Sequence, residues 1–231
     1  MSKVIENYKA VRAAFEQACV AAGRTSDEVK LLVVSKTIPV PVLMELYDSG
    51  IREFAENREP ELAMKSAAMP DDIVWHFIGP VQSNKIRKVV KLAQVIHSVE
   101  SLSQLERFER IAGEEGKNPQ ILLELNVSGE ASKGGMTSAE LPAAAERAAA
   151  CQNLRFSGLM TMAPFGAERS ELEKIFSTLK NLRDTEAARL NIALPVLSMG
   201  MSGDFPEAIK CGATVVRIGS RIFEGIQRIS K

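Results

Sequence analysis

Several things are scarce in this chain, and each scarcity removes a class of protein. Only three cysteines occur in 231 residues, Cys19, Cys151 and Cys211. They are too few and too scattered for a disulfide framework or a zinc cluster, so each is expected as a small buried side chain and no metal site is expected. Charge of one sign is missing, because 29 Lys and Arg balance 29 Asp and Glu. A dedicated nucleic-acid binder needs a positive surplus on its contact face, so no nucleic-acid partner is expected. Long apolar runs are missing too. Stretches such as Leu31-Leu32-Val33-Val34 fall far short of the roughly 20 residues that span a bilayer. The opening segment MSKVIENYKAVRAAFEQACVAAG carries no apolar core of a secretory signal, so a cytoplasmic protein without a membrane partner is expected. No Pro/Gly/Ser-rich linker or low-complexity tract divides the chain, and residues 1–231 read as one domain.

What is present is an alternation of two periods. Val4, Tyr8, Val11, Phe15, Ala18 and Ala22 recur at three- and four-residue steps and Gly23 follows, which predicts a helix over 2–22. The aliphatic run over 29–36 then reads as a strand buried on both faces. The same pair of signals returns seven times. Helices are expected over 41–49, 61–68, 85–92, 102–115, 139–151, 169–190 and 205–210, with strands over 51–57, 74–79, 95–99, 121–127, 154–161, 196–202 and 214–219. Eight strands with a helix between each successive pair imply a parallel sheet. In a chain of this length they fit a closed (β/α)₈ TIM barrel with an extra N-terminal helix. An open doubly wound sheet is the alternative, although no Gly-rich turn follows the first strand.

In such a barrel the chemistry sits where strands give way to the following loops. The first strand ends in Lys36, whose parity mates are Leu32 and Val34. A lysine there either snorkels to solvent or, partly buried, serves as the amine of a Schiff base. In the seventh strand, alternation places Ser198, Gly200 and Ser202 on one face, which leaves room for a ligand. Ser202-Gly203-Asp204 then opens a short helix, read either as an ordinary N-cap or as a cluster of free amides that favours an anion. The eighth strand carries Arg217 among apolar residues, and a buried guanidinium needs a partner. Gly219-Ser220 follow, and the loops after strands seven and eight are the usual phosphate place of these barrels. Closure brings strand eight beside strand one, so an amine, an arginine and a phosphate cradle converge on one mouth. That set suits pyridoxal 5'-phosphate (PLP), with the arginine disfavouring a protonated pyridine nitrogen and so weakening the electron sink.

The motifs LLVVSKT (31–37), FAEN (54–57), HFIGPVQSNK (76–85), SKGGM (132–136), GLM (158–160), LSMGMSGD (197–204) and VRIGSRIFEG (216–225) run in order along almost the whole chain. Together they resemble the pyridoxal phosphate homeostasis protein family. The resemblance implies the barrel of the alanine racemase N-terminal domain without that enzyme's second domain. It also implies PLP binding with no known turnover, tied to vitamin B6 and amino-acid balance. By motif, Lys36 would hold PLP as a Schiff base, Asn57 would lie beside the ring, and Arg217 would face the pyridine nitrogen. Ser202, Gly219 and Ser220 would bind the phosphate. The chain departs from the family pattern at Ala55 (usually Gly), Glu59-Pro60 (usually Val-Gln), Val81 (usually Leu) and Ser220 (commonly Thr).

A racemase-like enzyme is the alternative, and a Schiff-base aldolase a further one. Racemisation needs an acid/base group on each face of the substrate carbon. The only tyrosines, Tyr8 and Tyr47, fall at no strand end, and His76 and His97 lie within strands and read as core or rim histidines. A carrier with no catalytic residue is therefore expected, a monomer handing PLP to apo forms of PLP-dependent enzymes. The basic stretch Lys85, Arg87, Lys88 and Lys91 reads as a solvated helix face, with an anion or partner site as the other reading.

Overall fold

In the computed structural model, which describes residues 2–130 and 134–229, eight parallel strands close into a barrel in sequence order. They are β1 (Lys30–Val34), β2 (Glu53–Glu56), β3 (Val74–Phe77), β4 (Val95–Val99), β5 (Gln120–Glu124), β6 (Arg155–Met160), β7 (Val196–Ser198) and β8 (Val215–Ile218). Helix α1 (Lys3–Ala21) precedes the barrel. The crossovers are α2 (Val40–Asp48), α3 (Glu59–Ala68), α4 (Ile86–Leu92), α5 (Leu102–Glu114), α6 (Leu141–Ala149), α7 (Arg169–Leu190) and α8 (Phe205–Lys210). The expected (β/α)₈ barrel with its extra helix is the fold.

Closure rests on β8 pairing with β1, with Arg217 opposite Leu32 and Ile218 opposite Val33. Helix α1 seals this seam from outside. Its buried residues Val4, Val11, Phe15 and Cys19 form one helical stripe, and it packs beside α8 and α2 of its own barrel. Past its end, Arg24 donates to the carbonyl of Ala213 at 2.6 Å. Near its start, Asn7 donates to the carbonyl of Ile222 at 3.1 Å.

Most strands are shorter than their apolar runs. The seventh shows why. Its apolar character continues to Met201, but the regular strand ends at Ser198; Met199 and Gly200 keep one main-chain hydrogen bond each to β8, and Gly200 turns the chain at φ +90°. A Cβ on Gly200 would lie 2.5 Å from that of Ala208 in α8. Gly200 therefore serves the close approach of α8, and the small-residue face expected to open space for a ligand does not reach past Ser198.

The main apolar core lies between strands and helices, and only a small cluster of Leu32, Val34, Ala55 and Val215 fills the lumen. Polar side chains share the lumen. His76, His97, Ser198 and Arg217 are all buried there, where barrels of this kind usually stack branched aliphatics.

Candidate functional site

A cavity of about 720 Å³ opens at the C-terminal ends of the strands. Lys36, Asn57, Ser202, Arg217, Gly219 and Ser220 all line it. The sequence expected these six to converge, and the barrel brings them to one mouth.

Lys36 lies two residues beyond β1 and is exposed, so of its two readings the structure shows the solvent-facing amine and not the partly buried one. Its neighbours are held instead. The Lys65 ammonium, fully buried on α3, donates to the Ser35 carbonyl at 2.8 Å and to Glu56 Oε1 at 2.5 Å. Ser35 Oγ donates to the same carboxylate oxygen at 2.6 Å. On the other side Thr37 sits at φ +62°, a strained conformation for a β-branched residue. Its N–H donates to Glu61 Oε2 at 2.9 Å, and its carbonyl accepts from the Ile229 N–H at 2.8 Å. The amine thus projects from a turn clamped at both ends.

Asn57 follows β2, and its Oδ1 is buried without a hydrogen-bond partner. Gly219 crosses over β1, where a Cβ would meet the Val34 carbonyl oxygen at 2.7 Å. This close approach sets the β8 loop beside the Lys36 loop. Among the described residues, the N–H groups of Ser202, Gly203 and Ser220 make no hydrogen bond within the chain. Unbonded main-chain N–H groups in two neighbouring loops, with two hydroxyls, are donors that can serve an anion.

Arg217 Nη1 donates to Ser198 Oγ at 2.7 Å and Nη2 to the Thr161 carbonyl at 3.0 Å. Burial lowers its pKa to about 10, with Glu124 and Asp204 opposing the shift, so it stays charged at neutral pH. Glu124, at the end of β5, is pushed up to about 7 by burial, against the charge of Arg217 and with help from Glu100. Its folded pKa lies above the ordinary 4.5, so the folded state holds the extra proton and stability falls as pH rises from about 4.5 to about 7. Glu124→Gln should therefore stabilise the protein by about 2–3 kcal/mol at pH 8 and hardly at all at pH 4. Urea unfolding at the two pH values measures this, and an equal effect at both would contradict it.

The sequence reading missed part of the site. The loop after β6 contributes Met162, Pro164, Phe165, Gly166 and Ala167 to the cavity wall, with Phe165 fully exposed at the rim. Its residues follow no helical or strand period, so no pattern marked them. Glu124 and the buried Lys65–Glu56 pair were missed as well. Ser132 and Lys133 of the SKGGM motif lie outside the described residues.

The basic stretch is neutralised in place. Lys85 and Lys88 meet the buried Glu59 carboxylate at 3.0 and 3.2 Å, at ion-pair distance without a well-aligned hydrogen bond. Lys91 pairs with Glu115 at 3.0 Å, and Arg87 pairs with Glu114 and Glu115. The departure from the family pattern at Glu59 thus has a local counterpart in Lys85 and Lys88. Among the described residues no group of three or more His, Cys, Asp or Glu could hold a metal ion, and no helix is long and apolar enough to cross a membrane.

The family model for the N-terminal domain of alanine racemase matches residues 7–226. A pyridoxal phosphate homeostasis protein of Pseudomonas aeruginosa is 43% identical over 226 residues, covering 96% of each chain. The chain belongs to the pyridoxal phosphate homeostasis protein family. Another solved structure, PipY of Synechococcus elongatus with PLP bound, superposes with TM-score 0.84 at 34% identity, covering 95% of this chain and 99% of that one. The barrel is shared more widely. Alanine racemase of Corynebacterium glutamicum gives a TM-score of 0.73 at 13% identity, with 98% of this chain but 63% of the racemase covered. The homeostasis proteins thus share the barrel with that racemase, whose chain is longer.

Proposed function

We propose that this chain holds PLP in the mouth of the barrel and supplies or buffers it inside the cell, without turning over a substrate. The observation that carries the reading is the exposed Lys36 amine on the same cavity wall as Arg217 and the unbonded amides of the β7 and β8 loops. The residues present fit the cofactor. The free N–H groups and the hydroxyls of Ser202 and Ser220 offer donors for a phosphate, with Gly219 allowing close approach. The orphaned Asn57 Oδ1 leaves a buried acceptor facing a missing donor. PLP contributes an aldehyde and an electron-withdrawing ring. Lys36 is the amine for the aldehyde, and Asn57 lies beside the ring. Arg217 can only donate, so it holds the pyridine nitrogen as an acceptor and keeps that nitrogen unprotonated. The PLP-bound PipY structure and the names of the homologues support this reading.

The titratable groups on the cavity wall favour a carrier over a racemase. They are Lys36, Asp204 and Arg217. Asp204 is engaged in capping the Met201 N–H, and Arg217 stays charged. Tyr8 borders the opposite end of the barrel, and Tyr47 donates to Asp72 on the outside. Among the described residues that leaves Lys36 alone to move a proton. We take residues 1–231 to act as one PLP-binding unit, a cytoplasmic monomer whose recipients are apo PLP-dependent enzymes. The test compares PLP transfer to an apo-enzyme with spontaneous release. Transfer faster than release is expected. Equal rates would contradict direct supply, and amino-acid racemisation at ordinary enzyme rates would contradict the carrier reading.

A further inference from the structure

The lumen contains a hydrogen-bonded file that the cofactor site does not by itself require. Arg217 Nη1 meets Ser198 Oγ at 2.7 Å, and Ser198 Oγ meets His97 Nδ1 at 2.8 Å. His97 Nε2 meets His76 Nδ1 at 2.9 Å, and His76 Nε2 meets Glu53 Oε2 at 2.8 Å. The file passes from β8 through β7, β4 and β3 to β2. It begins at the cofactor mouth and ends on Glu53 and Lys30, in a second cavity of about 820 Å³ at the opposite end of the barrel.

The direction of every bond follows from the two ends. A guanidinium only donates, so Ser198 Oγ accepts from Arg217. At the far end Glu53 is an ionised acceptor. Burial would raise its pKa, but hydrogen bonds from His76 and Lys30 and the charge of Lys30 hold it down at about 2. His76 Nε2 therefore carries a hydrogen. Burial disfavours the charged form of both imidazoles, against the pull of Glu53 on His76 and with the charges of Arg217 and Lys30 adding to the effect on His97. With both rings neutral, His76 Nδ1 is bare and accepts from His97 Nε2–H. His97 Nδ1 is then bare and accepts the Ser198 hydroxyl proton. The assignments made from the two ends meet without conflict, and every donor points from Arg217 toward Glu53. Bonds aligned in this way reinforce one another in a low dielectric.

We propose that Ser198, His97 and His76 are positioning residues that act through Arg217, holding its guanidinium as a fixed donor toward the cofactor's ring nitrogen, with Glu53 as the anchor at the far end of the barrel. This role rests on the PLP reading of the mouth. The Ser198 proton is committed to His97, so the serine keeps a lone pair for Arg217. Together with the Thr161 carbonyl, it fixes both terminal nitrogens of the guanidinium.

Nitrogen NMR of the cofactor-free protein tests the order of the file. Both imidazoles should be neutral Nε2–H tautomers at neutral pH and should charge only below the ordinary imidazole value. An Nδ1–H tautomer on either ring, or titration near the ordinary value, would overturn the file. The PLP-loaded protein tests the role. His97→Phe and Ser198→Ala should each move the pH titration of the visible PLP band by about one unit and speed PLP release about tenfold, the size of one hydrogen bond to a charged group. His97→Asn, whose Oδ1 can replace Nδ1 as acceptor, should stay within about twofold of the wild type. Ser198→Ala removes one oxygen and carries the test if His97→Phe does not fold. Wild-type titration and release in Ser198→Ala would overturn the positioning role. A wild-type protein that takes up no PLP would overturn the pocket reading and this role with it, while the tautomers measured without cofactor would still report the file itself.

Discussion

Lys36→Ala is expected to remove covalent retention of PLP and leave the fold intact. Among the described residues the Lys36 side chain makes no hydrogen bond or ion pair, and it is exposed. Its loss should therefore change unfolding stability by no more than about 0.5 kcal/mol. The proposed phosphate cradle of Ser202, Gly219 and Ser220 and the proposed ring partner Arg217 are untouched by this change, so weak binding should persist. Retention should fall at least about 100-fold, roughly 2.8 kcal/mol at 1.4 kcal/mol per tenfold. Absorbance after gel filtration measures this, alongside a urea curve. A variant that stays yellow and stoichiometric would contradict the role of Lys36. One that loses colour and also unfolds would contradict the claim that the amine is structurally idle.

The second large effect lies beneath that amine. Lys65 and Glu56 form an ion pair at 2.5 Å with both side chains fully buried. Replacing the lysine by methionine leaves a buried carboxylate without its counter-ion and the Ser35 carbonyl with the Ile38 N–H as its remaining donor. Such a change costs about 3–5 kcal/mol. Burial already pushes the Glu56 carboxyl up, against the ammonium that opposes it. The double variant Lys65→Met with Glu56→Leu should regain most of the loss, because an apolar pair of similar volume carries no desolvation penalty. It should not regain full PLP loading, since the turn bearing Lys36 has lost the anchor on Ser35. A cost below about 1 kcal/mol for Lys65→Met would contradict the burial argument.

Much of the barrel was legible because it repeats. Eight changes of period, several closed by glycine, mark eight strand–helix units, and parallel pairing leaves few other topologies. The strand ends were less legible. Met199 and Leu125 are as buried as strand residues and keep a main-chain hydrogen bond to a neighbouring strand, yet the regular ladders of β7 and β5 end before them. Burial sets composition, whereas backbone pairing sets the strand limit, and here the two diverge. For the same reason Lys36 was placed on a strand face when the chain has already left the sheet.

In the site, residues that break a local pattern were readable. Arg217 stands out as a charge in an apolar strand, and Ser202, Gly219 and Ser220 fall on loops that the fold makes functional. Their partners were not readable. Ser198 on β7 and Thr161 just past β6 meet Arg217, and His97 on β4 meets Ser198, so no spacing along one segment encodes the arrangement. Lys65 was hidden in another way. On a helix with Glu59, Glu61 and Lys65 it looks like a surface lysine, and only the packing of α3 on β2 shows that it is buried. The basic stretch from Lys85 to Lys91 lies on a largely exposed helix face, and its acidic partners from α3 and α5 came only with the structure.

The most direct measurement is borohydride reduction of the PLP-loaded protein followed by peptide mapping. The chain has several lysines near the barrel mouth and its rim, among them Lys36, Lys65 and Lys85, but among the described residues only Lys36 is an exposed amine on the cavity wall. The reduced adduct is predicted on Lys36 and on no other lysine at comparable yield. An adduct centred on another lysine, or none at all from a protein that has taken up PLP, would contradict the site.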